Sequence, residues 1–224
     1  MIVLRRPQPT PLSLQRPHLS FELPLIDLSK IDATIERDGG AELLPGMQEM
    51  FAEAGTIWDD NENDFHFRDF IAADYEKVFK ALALLKDQAD TFLEFGSGLG
   101  IIASSAGLLG YEAYGIEIDP KLVRQAQMLA EKYETHAEFS YGSFIPDAYK
   151  WSAQFEDEFF KTILDDRDGY GDLDMELRDF DLVYGYPWPG ERLFFRDIMD
   201  RFGRKGALFM TYDVREGIIV ERIE

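Results

Sequence analysis

The chain has 224 residues, no cysteine, and 43 acidic against 23 basic side chains, which gives a formal net charge of −20 at pH 7. This length suffices for one α/β domain with a full core and some decoration, and the lack of cysteine excludes disulfides and thiolate metal sites. The negative charge argues against a nucleic-acid partner, because phosphate backbones are bound mainly through lysine and arginine.

The sequence contains no apolar run near the roughly 20 residues that a membrane-spanning helix needs, and its N-terminal segment has no signal-peptide core. We therefore expect a soluble, cytoplasmic protein without a membrane partner.

The N-terminal part predicts an arm followed by two helices. Five of the ten prolines lie in the first 24 residues, which indicates an extended or flexible arm. Apolar residues after the Gly39–Gly40 turn then predict a short amphipathic helix that ends near Gly55. The apolar face of this helix consists of Leu43, Met47, Met50, Phe51 and Ala54. A second helix is predicted from an apolar face of Ile71, Tyr75, Val78, Phe79, Leu82 and Leu85. Both helices should pack on or over the sheet that follows.

The remainder of the chain alternates strands with helices. Strands are predicted over residues 91–95, 113–118, 137–141, 181–186, 207–212 and 218–223. Helices are predicted over 99–109, from an Asp119 cap and Pro120 onward, and over 191–202. This alternation predicts a doubly wound, mostly parallel sheet. We expect residues 1–66 to form the arm and a helical cap, and residues 67–224 to form the α/β domain.

A glycine-rich turn follows the first predicted strand. It reads Gly96, Ser97, Gly98, Leu99, Gly100, with Glu94 just before it and Glu117 at the end of the next strand. Glycines let a ligand approach the backbone, and an acid at the end of the second strand can accept hydrogen bonds from both ribose hydroxyls. The arrangement predicts a site for an adenosine-like ligand. Ile101 stands where a dinucleotide fingerprint needs glycine or alanine, so an NAD-dependent oxidoreductase is a weaker alternative.

The segment from Glu94 to Gly100 resembles the first motif of class I S-adenosylmethionine-dependent methyltransferases, and GIEIDP (Gly115–Pro120) resembles their second. The resemblance covers roughly residues 70–215. It implies a Rossmann-like core that binds S-adenosyl-L-methionine, with Glu94 near the methionine ammonium and Glu117 on the ribose. The implied cofactor contacts are Glu94, Gly96, Ser97, Gly98, Gly100, Glu117, Ile118, Ser143, Phe144 and Tyr184.

Two features depart from the pattern of this family. After the third strand the family commonly has an Asp near the adenine amino group, whereas this chain has Ser143, which can accept a hydrogen bond, and Phe144, which can stack. The family also carries a helix and a β-hairpin after its fifth strand, whereas only residues 213–224 remain here. The C-terminal edge of the sheet is therefore expected to be abbreviated.

The fourth strand ends in a turn of aromatic and proline residues that we expect to form the acceptor site. Prolines hold aromatic faces rigidly, and such faces attract cations such as a sulfonium or a substrate ammonium. The alternative interpretation of this turn is a hydrophobic plug between strand and helix. The predicted substrate contacts are Tyr186, Pro187, Trp188, Glu191 and Tyr212. Glu191 is either a candidate base or a first-turn acid that the helix dipole stabilises. No catalytic residue is assigned, and no metal site is expected.

The leading hypothesis is a methyltransferase whose acceptor is a small molecule or a protein amine. One alternative is a noncatalytic module that binds S-adenosylmethionine or S-adenosylhomocysteine and docks a basic partner through an acidic insertion at about residues 145–180. Another is an aminopropyltransferase, which uses the decarboxylated cofactor on the same scaffold. The insertion itself is either a solvated surface segment or an acidic rim that attracts a cationic substrate.

Overall fold

The computed structural model describes residues 27–67, 71–151, 161–162 and 167–224. Within these ranges six strands form one sheet in the order β3-β2-β1-β4-β5-β6. The strands are β1 (Thr91–Phe95), β2 (Glu112–Glu117), β3 (Glu138–Tyr141), β4 (Leu182–Gly185), β5 (Leu208–Asp213) and β6 (Gly217–Arg222). Neighbouring strands from β3 to β5 are parallel, and β6 runs antiparallel to β5. The predicted doubly wound, mostly parallel sheet is therefore confirmed.

Six α-helices accompany the sheet in the described ranges. They are α1 (Ile31–Asp38), α2 (Met47–Asn61), α3 (Tyr75–Leu85), α4 (Ile101–Leu108), α5 (Pro120–Lys132) and α6 (Arg192–Phe202). Helices α3, α4 and α5 share one core with one face of the sheet, and α6 packs on the other face. The Asp119 side chain caps α5 by accepting from the N–H groups of Lys121 and Leu122, as predicted. None of these helices has the length and apolarity that crossing a bilayer requires.

The N-terminal helices differ in part from the sequence-based predictions. The first 24 residues, predicted as an arm, lie outside the described residues. Helix α1 was not predicted; Ile31 and Ile35 are buried in the same core as the sheet, and Asp32 accepts a hydrogen bond from the Ile218 N–H at 2.9 Å. This bond ties α1 to β6. The division of the chain at residue 66 stays a prediction.

Two predicted helix boundaries are wrong. Helix α2 continues past Gly55 to Asn61; an interior glycine costs only about 1 kcal/mol relative to alanine, and Ile57 continues the packed face. Ile71 lies before α3 and is exposed, because Asp74 caps that helix by accepting from the Lys77 N–H at 3.0 Å. Helix α3 packs on the sheet as predicted, because it shares a core with strand residues. In the described part of the chain, helix α2 packs on α4 and not directly on the sheet.

The described second half of the acidic insertion is packed against the domain. Tyr170, Leu177 and Phe180 are buried in the core on the α6 face of the sheet. The Tyr170 hydroxyl donates to the Phe144 carbonyl oxygen at 2.6 Å, which fixes this segment beside the end of β3. The described half therefore contributes to the core and is more than a solvated surface segment.

Candidate functional site

A cavity of about 600 Å³ opens at the carboxyl ends of β1, β2 and β4. In an open α/β sheet, ligands bind at the point where the strand order reverses, which in this sheet lies between β1 and β4. The volume lies within the range of roughly 300–1,000 Å³ that small-molecule sites occupy. Most of the predicted cofactor residues line this cavity. They are Glu94, Gly96, Ser97, Gly98, Glu117, Ile118, Ser143, Phe144 and Tyr184.

The glycine turn brings bare backbone to the cavity wall. Gly96, Gly98 and Gly100 have φ angles of 63°, 54° and 70°, in the left-handed region that favours glycine. No heavy atom lies within 4 Å of the position that a Cβ on Gly96 would occupy, so this side of the turn is open. A Cβ on Gly100 would overlap the Phe139 ring. Gly100 therefore allows α4 to pack closely on its neighbours, and it does not line the cavity.

Glu117 presents a buried carboxylate to the cavity. Its side chain is 7% exposed; Oε2 accepts from the Gly98 N–H at 2.8 Å, and Oε1 accepts from the Asp119 N–H at 2.9 Å. Burial raises the pKa of Glu117, while these backbone donors act in the opposite direction. Because a carboxylate oxygen can accept two hydrogen bonds, each oxygen has room for one further donor. The carboxylate can thus accept both hydroxyls of a ribose.

Glu94 is the second buried acid of the cavity. It is 6% exposed, and its Oε2 accepts from the Ala103 N–H in the first turn of α4 at 2.9 Å. Burial raises the pKa of Glu94 well above its ordinary value, and the nearby Glu117 raises it further. A cation bound beside Glu94 would favour its charged form.

We expect Glu94→Gln to raise the melting temperature of the ligand-free protein, and to raise it more at pH 8 than at pH 5. The pKa of Glu94 is raised in the folded state above the unfolded value of about 4.3. Its contribution to stability is therefore complete below that value and is lost as the pH rises through the folded pKa. Glutamine stays neutral and still accepts from the Ala103 N–H. Calorimetric melts at several pH values measure the difference in melting temperature between the variant and the wild-type protein. Glu49→Gln, at an exposed position, is the control. A difference that does not change with pH would contradict the expectation.

Tyr184 lines the cavity, and the charge of Glu94 acts on its hydroxyl. Tyr184 is almost completely buried, and its hydroxyl has no hydrogen-bond partner among the described residues. Burial raises the pKa of Tyr184, and the charge of Glu94 adds to this effect, so the phenol stays protonated. An unpaired buried polar group costs about 1–3 kcal/mol, and a ligand that hydrogen-bonds to it would remove this cost.

The residues after β3 are ordered by contacts within the protein. The Ser143 hydroxyl accepts from the Ile145 N–H at 3.1 Å. The Phe144 ring stacks on Phe95, with centroids 4.5 Å apart and an interplanar angle of 14°. Both predicted residues line the cavity. Their contacts with an adenine ring stay a prediction.

The aromatic and proline turn after β4 forms one wall of the cavity mouth. Tyr186, Pro187 and Trp188 are half-buried and line the cavity, which argues against the alternative of a buried hydrophobic plug. The Lys161 ammonium lies 5.0 Å from the centroid of the Trp188 ring. This aromatic face, expected to attract a ligand cation, already holds a cation from the protein. Tyr212 packs edge-on against Tyr186 and does not line the cavity.

Glu191 does not line the cavity, contrary to the prediction that it contacts the substrate. It is buried, and its carboxylate accepts from the N–H groups of Lys161 and Thr162 and from the Thr162 hydroxyl. These bonds hold residues 161–162 of the insertion at the cavity mouth. Glu191 is also the N-cap residue of α6, and its side chain makes no capping bond there. The structure thus gives it a positioning role at the N-terminus of α6, where the helix dipole also favours an acid; its role as a base stays a prediction.

Several cavity residues come from parts of the chain where the sequence predicted no site. Phe65 and His66 come from the end of the predicted N-terminal cap, and Ile71, Ala72, Ala73 and Tyr75 come from the segment that leads into α3. Val214 follows β5. His66 Nδ1 lies 2.5 Å from Asp119 Oδ2, and Lys121 Nζ lies 2.5 Å from Asp64 Oδ2. These two contacts hold the cap against the start of α5. The two residues of each pair are more than 50 residues apart in sequence, so no local pattern indicates these contacts.

Part of this chain is similar to known methyltransferases. No family model matches the sequence. The ribosomal protein L11 methyltransferase of Thermus thermophilus is 38% identical over 66 residues, which are 30% of this chain and 26% of that protein. The chain thus matches about a quarter of the length of this curated relative.

Solved structures of methyltransferases are similar to part of this chain. A methyltransferase from Geobacter sulfurreducens has a TM-score of 0.50 at 14% identity, covering 80% of this chain and 78% of that one. An RNA methyltransferase from Salinibacter ruber in complex with S-adenosyl-L-homocysteine has a TM-score of 0.45 at 21% identity, covering 64% of this chain and 78% of that one. The strand order and the similarity to the Geobacter sulfurreducens structure together identify the fold as the Rossmann-like fold of class I methyltransferases.

Proposed function

We propose that this protein binds S-adenosyl-L-methionine in the 600 Å³ cavity and transfers its methyl group to an acceptor. The observation that carries the proposal is the buried Glu117 carboxylate, which the Gly98 N–H holds at the cavity wall with capacity for two further hydrogen bonds. An acid in this position of a Rossmann-like sheet is suited to the two hydroxyls of a ribose.

The other residues of the cavity fit the remaining parts of this cofactor. Glu94 offers a carboxylate to an ammonium group, and its charge acts on the unpaired Tyr184 hydroxyl. The open side of Gly96 lets a ligand approach the backbone. Ile118 and Phe144 supply apolar surface for a nucleobase.

When bound, S-adenosyl-L-methionine supplies a methyl group on a positively charged sulfur that needs no further activation. The residues of this chain then have to hold the acceptor in line and exclude water. Tyr186 and Trp188, fixed by the neighbouring prolines, form a rigid wall for this purpose. Asp213 lines the cavity, but hydrogen bonds from the backbone of Arg215 and Glu216 lower its pKa, which makes it a weak base. We therefore propose an acceptor whose nucleophile arrives with an available lone pair.

Isothermal titration calorimetry with S-adenosylhomocysteine tests the proposal. We expect saturable binding with one site per chain. A parallel titration with decarboxylated S-adenosylmethionine separates methyl transfer from aminopropyl transfer, because an aminopropyltransferase should prefer the cofactor without the carboxylate. Failure of both ligands to bind at millimolar concentration would rule out both activities.

We further propose that the acceptor is a small molecule or a protein and not a nucleic acid. The net charge of −20 opposes a phosphate backbone. Among the described residues, four acids line the cavity, namely Glu94, Glu117, Asp119 and Asp213. The arginines on α6 that face β6 are paired, since Arg192 and Arg196 both contact Glu221. Two of the three methyltransferases compared above are named for a ribosomal protein and for RNA, and neither name extends to this chain.

A further inference from the structure

Large, exposed apolar side chains surround the mouth of the cavity. Ile71 is 52% exposed, Val214 is 73% exposed and Phe65 is 74% exposed, and all three line the cavity. They come from three separate segments: the residues before α3, the turn between β5 and β6, and the short helix after α2. Single exposed apolar residues are ordinary, but a group of them around an opening marks a site of interaction. We call these three residues the apolar rim.

An aromatic and proline wall continues this apolar surface into the cavity. Tyr75 and Tyr186 line the cavity, and Tyr186 packs edge-on against Tyr212. Pro187 and Pro189 fix the turn that follows Tyr186. Burial of apolar area is favourable and ring stacking adds to it. The mouth of the cavity therefore suits a ligand with an apolar, aromatic body.

The charged side chains of the cavity determine which sign of charge a ligand can carry. Within the described part of the chain, the acids Glu94, Glu117, Asp119 and Asp213 line the cavity, whereas Lys161 is the one lysine or arginine in that lining. These carboxylates repel an anionic ligand and attract a cationic one.

Three of these acids have a partner or a part in cofactor binding. Glu94 and Glu117 face the ammonium and the ribose in the proposed complex, and Asp119 Oδ2 lies 2.5 Å from His66 Nδ1. Asp213 is therefore the acid that remains for an acceptor.

Asp213 presents a fixed carboxylate beside the apolar rim. It is the last residue of β5 and directly precedes Val214. Its Oδ1 accepts from the N–H groups of Arg215 and Glu216 at 2.7 and 3.0 Å, and these bonds lower the pKa of Asp213. The carboxylate is therefore charged at neutral pH. Its Oδ2 makes no hydrogen bond or ion pair with another described residue, so it can accept from a ligand.

Two phenols connect Asp213 with the interior of the cavity. Burial raises the pKa of Tyr186, and the nearby Tyr212 and the charge of Asp213 raise it further. Burial and the charge of Glu94 raise the pKa of Tyr184, and Tyr186 adds to them. Both phenols therefore stay protonated, and the buried Tyr184 hydroxyl lacks a partner among the described residues. The cavity thus holds an unsatisfied polar group that a ligand can pair, which indicates a binding site independently of its acids.

We propose that the methyl acceptor is a small molecule with an apolar, aromatic body and a positively charged amino group that Asp213 binds. This inference rests on the proposed function, because it assigns the acceptor half of the same cavity. The apolar rim and the aromatic wall bind the body, and Asp213 orients it by its charged end. A protonated amine has no lone pair, so the methyl group goes to a different atom of the acceptor. The lone pair of that atom forms the new bond, and the electron pair of the broken carbon–sulfur bond stays on sulfur.

Three naphthalene derivatives with the same body and different charges test the proposal. They are naphthylmethylamine, which is a cation at pH 7, the neutral naphthalenemethanol and the anionic naphthoate. Calorimetric titrations at physiological ionic strength use protein saturated with S-adenosylhomocysteine, so that the cofactor half is filled. We expect the amine to bind at least about tenfold more tightly than the alcohol, and the naphthoate to bind more weakly than both.

Four variants separate the role of the carboxylate from that of the apolar rim. Asp213→Asn keeps an oxygen for the N–H groups of Arg215 and Glu216 but removes the charge. The affinity for the amine should fall to that for the alcohol, which should not change. Glu216→Gln, at an exposed acid outside the described cavity lining, should change neither. Val214→Ser should weaken all three probes by a similar factor, whereas Leu193→Ser, at a residue 71% exposed on α6 and outside that lining, should change none.

Equal affinities of the wild-type protein for the three probes would overturn the proposal. Equal effects of Asp213→Asn and Glu216→Gln on the amine, or of Val214→Ser and Leu193→Ser on all probes, would also overturn it. Displacement of the bound amine by putrescine, or by a lysine-rich peptide, at concentrations comparable to that of the probe would do the same, because it would point to an aliphatic polyamine or a protein as acceptor.

Calorimetry with S-adenosylhomocysteine on every variant reports on the cofactor half separately. Absence of cofactor binding in the wild-type protein therefore contradicts the proposed function, while a failure confined to the probes contradicts only the acceptor class.

Discussion

Replacing Glu117 with alanine should weaken binding of S-adenosylhomocysteine by at least about a hundredfold while leaving the protein folded. The carboxylate is positioned to accept two ribose hydroxyls, and a hydrogen bond to a charged group contributes roughly 1.5–3 kcal/mol. Since about 1.4 kcal/mol corresponds to a factor of ten in affinity, loss of both bonds gives at least the stated change.

The fold should survive this replacement for a specific reason. Alanine leaves the N–H groups of Gly98 and Asp119 without their acceptor, which destabilises the folded protein. It also removes a carboxyl group that is costly to bury in its charged form, as its raised pKa indicates, and this gain offsets the loss. Calorimetric titration measures the affinity, and circular dichroism melting measures the stability. Glu112→Ala is the matched control, because Glu112 is an exposed acid at the opposite end of the same strand. An unchanged dissociation constant for Glu117→Ala would contradict the assignment of Glu117 to the ribose.

The sheet and the cofactor half of the cavity could be predicted because their determinants are local in sequence. The run from β1 through the glycine turn into α4, and the Asp119 cap before Pro120, each lie within about ten residues. The strand order of the fold then brings Glu94 and Glu117 to the same edge. Short-range patterns therefore specified both the elements and the side chains at their ends.

The features that the sequence did not predict depend on contacts between residues that are distant in the chain. Helix α1 has only eight residues, and the Asp32 bond to the backbone of β6 and the burial of Ile31 and Ile35 hold it in place. Glu191 has the sequence context of a helix-terminal acid, yet its partners lie about 30 residues earlier in the insertion. His66 faces Asp119 across the domain boundary that the sequence predicted. Such contacts leave no periodicity in the sequence, because each involves a single side chain and a backbone group or charge elsewhere.

Gly100 illustrates how the structure adds a packing role to a residue that the motif indicated for cofactor contact. All three glycines of the turn were predicted to contact the cofactor, and all three have positive φ angles. Gly96 and Gly98 line the cavity, whereas Gly100 faces Phe139 and Ala126. The third glycine thus stabilises the packing that presents the first two.

Replacing Gly100 with alanine should consequently destabilise the protein more than the same replacement at Gly96, which lines the cavity. The Cβ would overlap the Phe139 ring and lie 2.8 Å from the Ala126 Cβ. Overpacking of a core costs about 1–3 kcal/mol, and a left-handed backbone costs a non-glycine residue about 1–2 kcal/mol more. A loss of roughly 3 kcal/mol corresponds to a fall in melting temperature of about 6–12 °C for a chain of this size.

Gly96→Ala is the matched comparison for this prediction, because its φ angle is similar and the position of its Cβ is open. Gly96→Ala should lose only the backbone contribution to stability, which lowers the melting temperature by a few degrees. Its methyl group would project into the cavity and reduce the affinity for S-adenosylhomocysteine by at least about tenfold, or about 1.4 kcal/mol. Gly100→Ala, measured well below its melting temperature, should retain much more of that affinity. Calorimetry and thermal melts on both variants measure these two effects separately. If Gly100→Ala melts like the wild-type protein and loses only affinity, then Gly100 contacts the ligand and the packing role assigned to it is wrong.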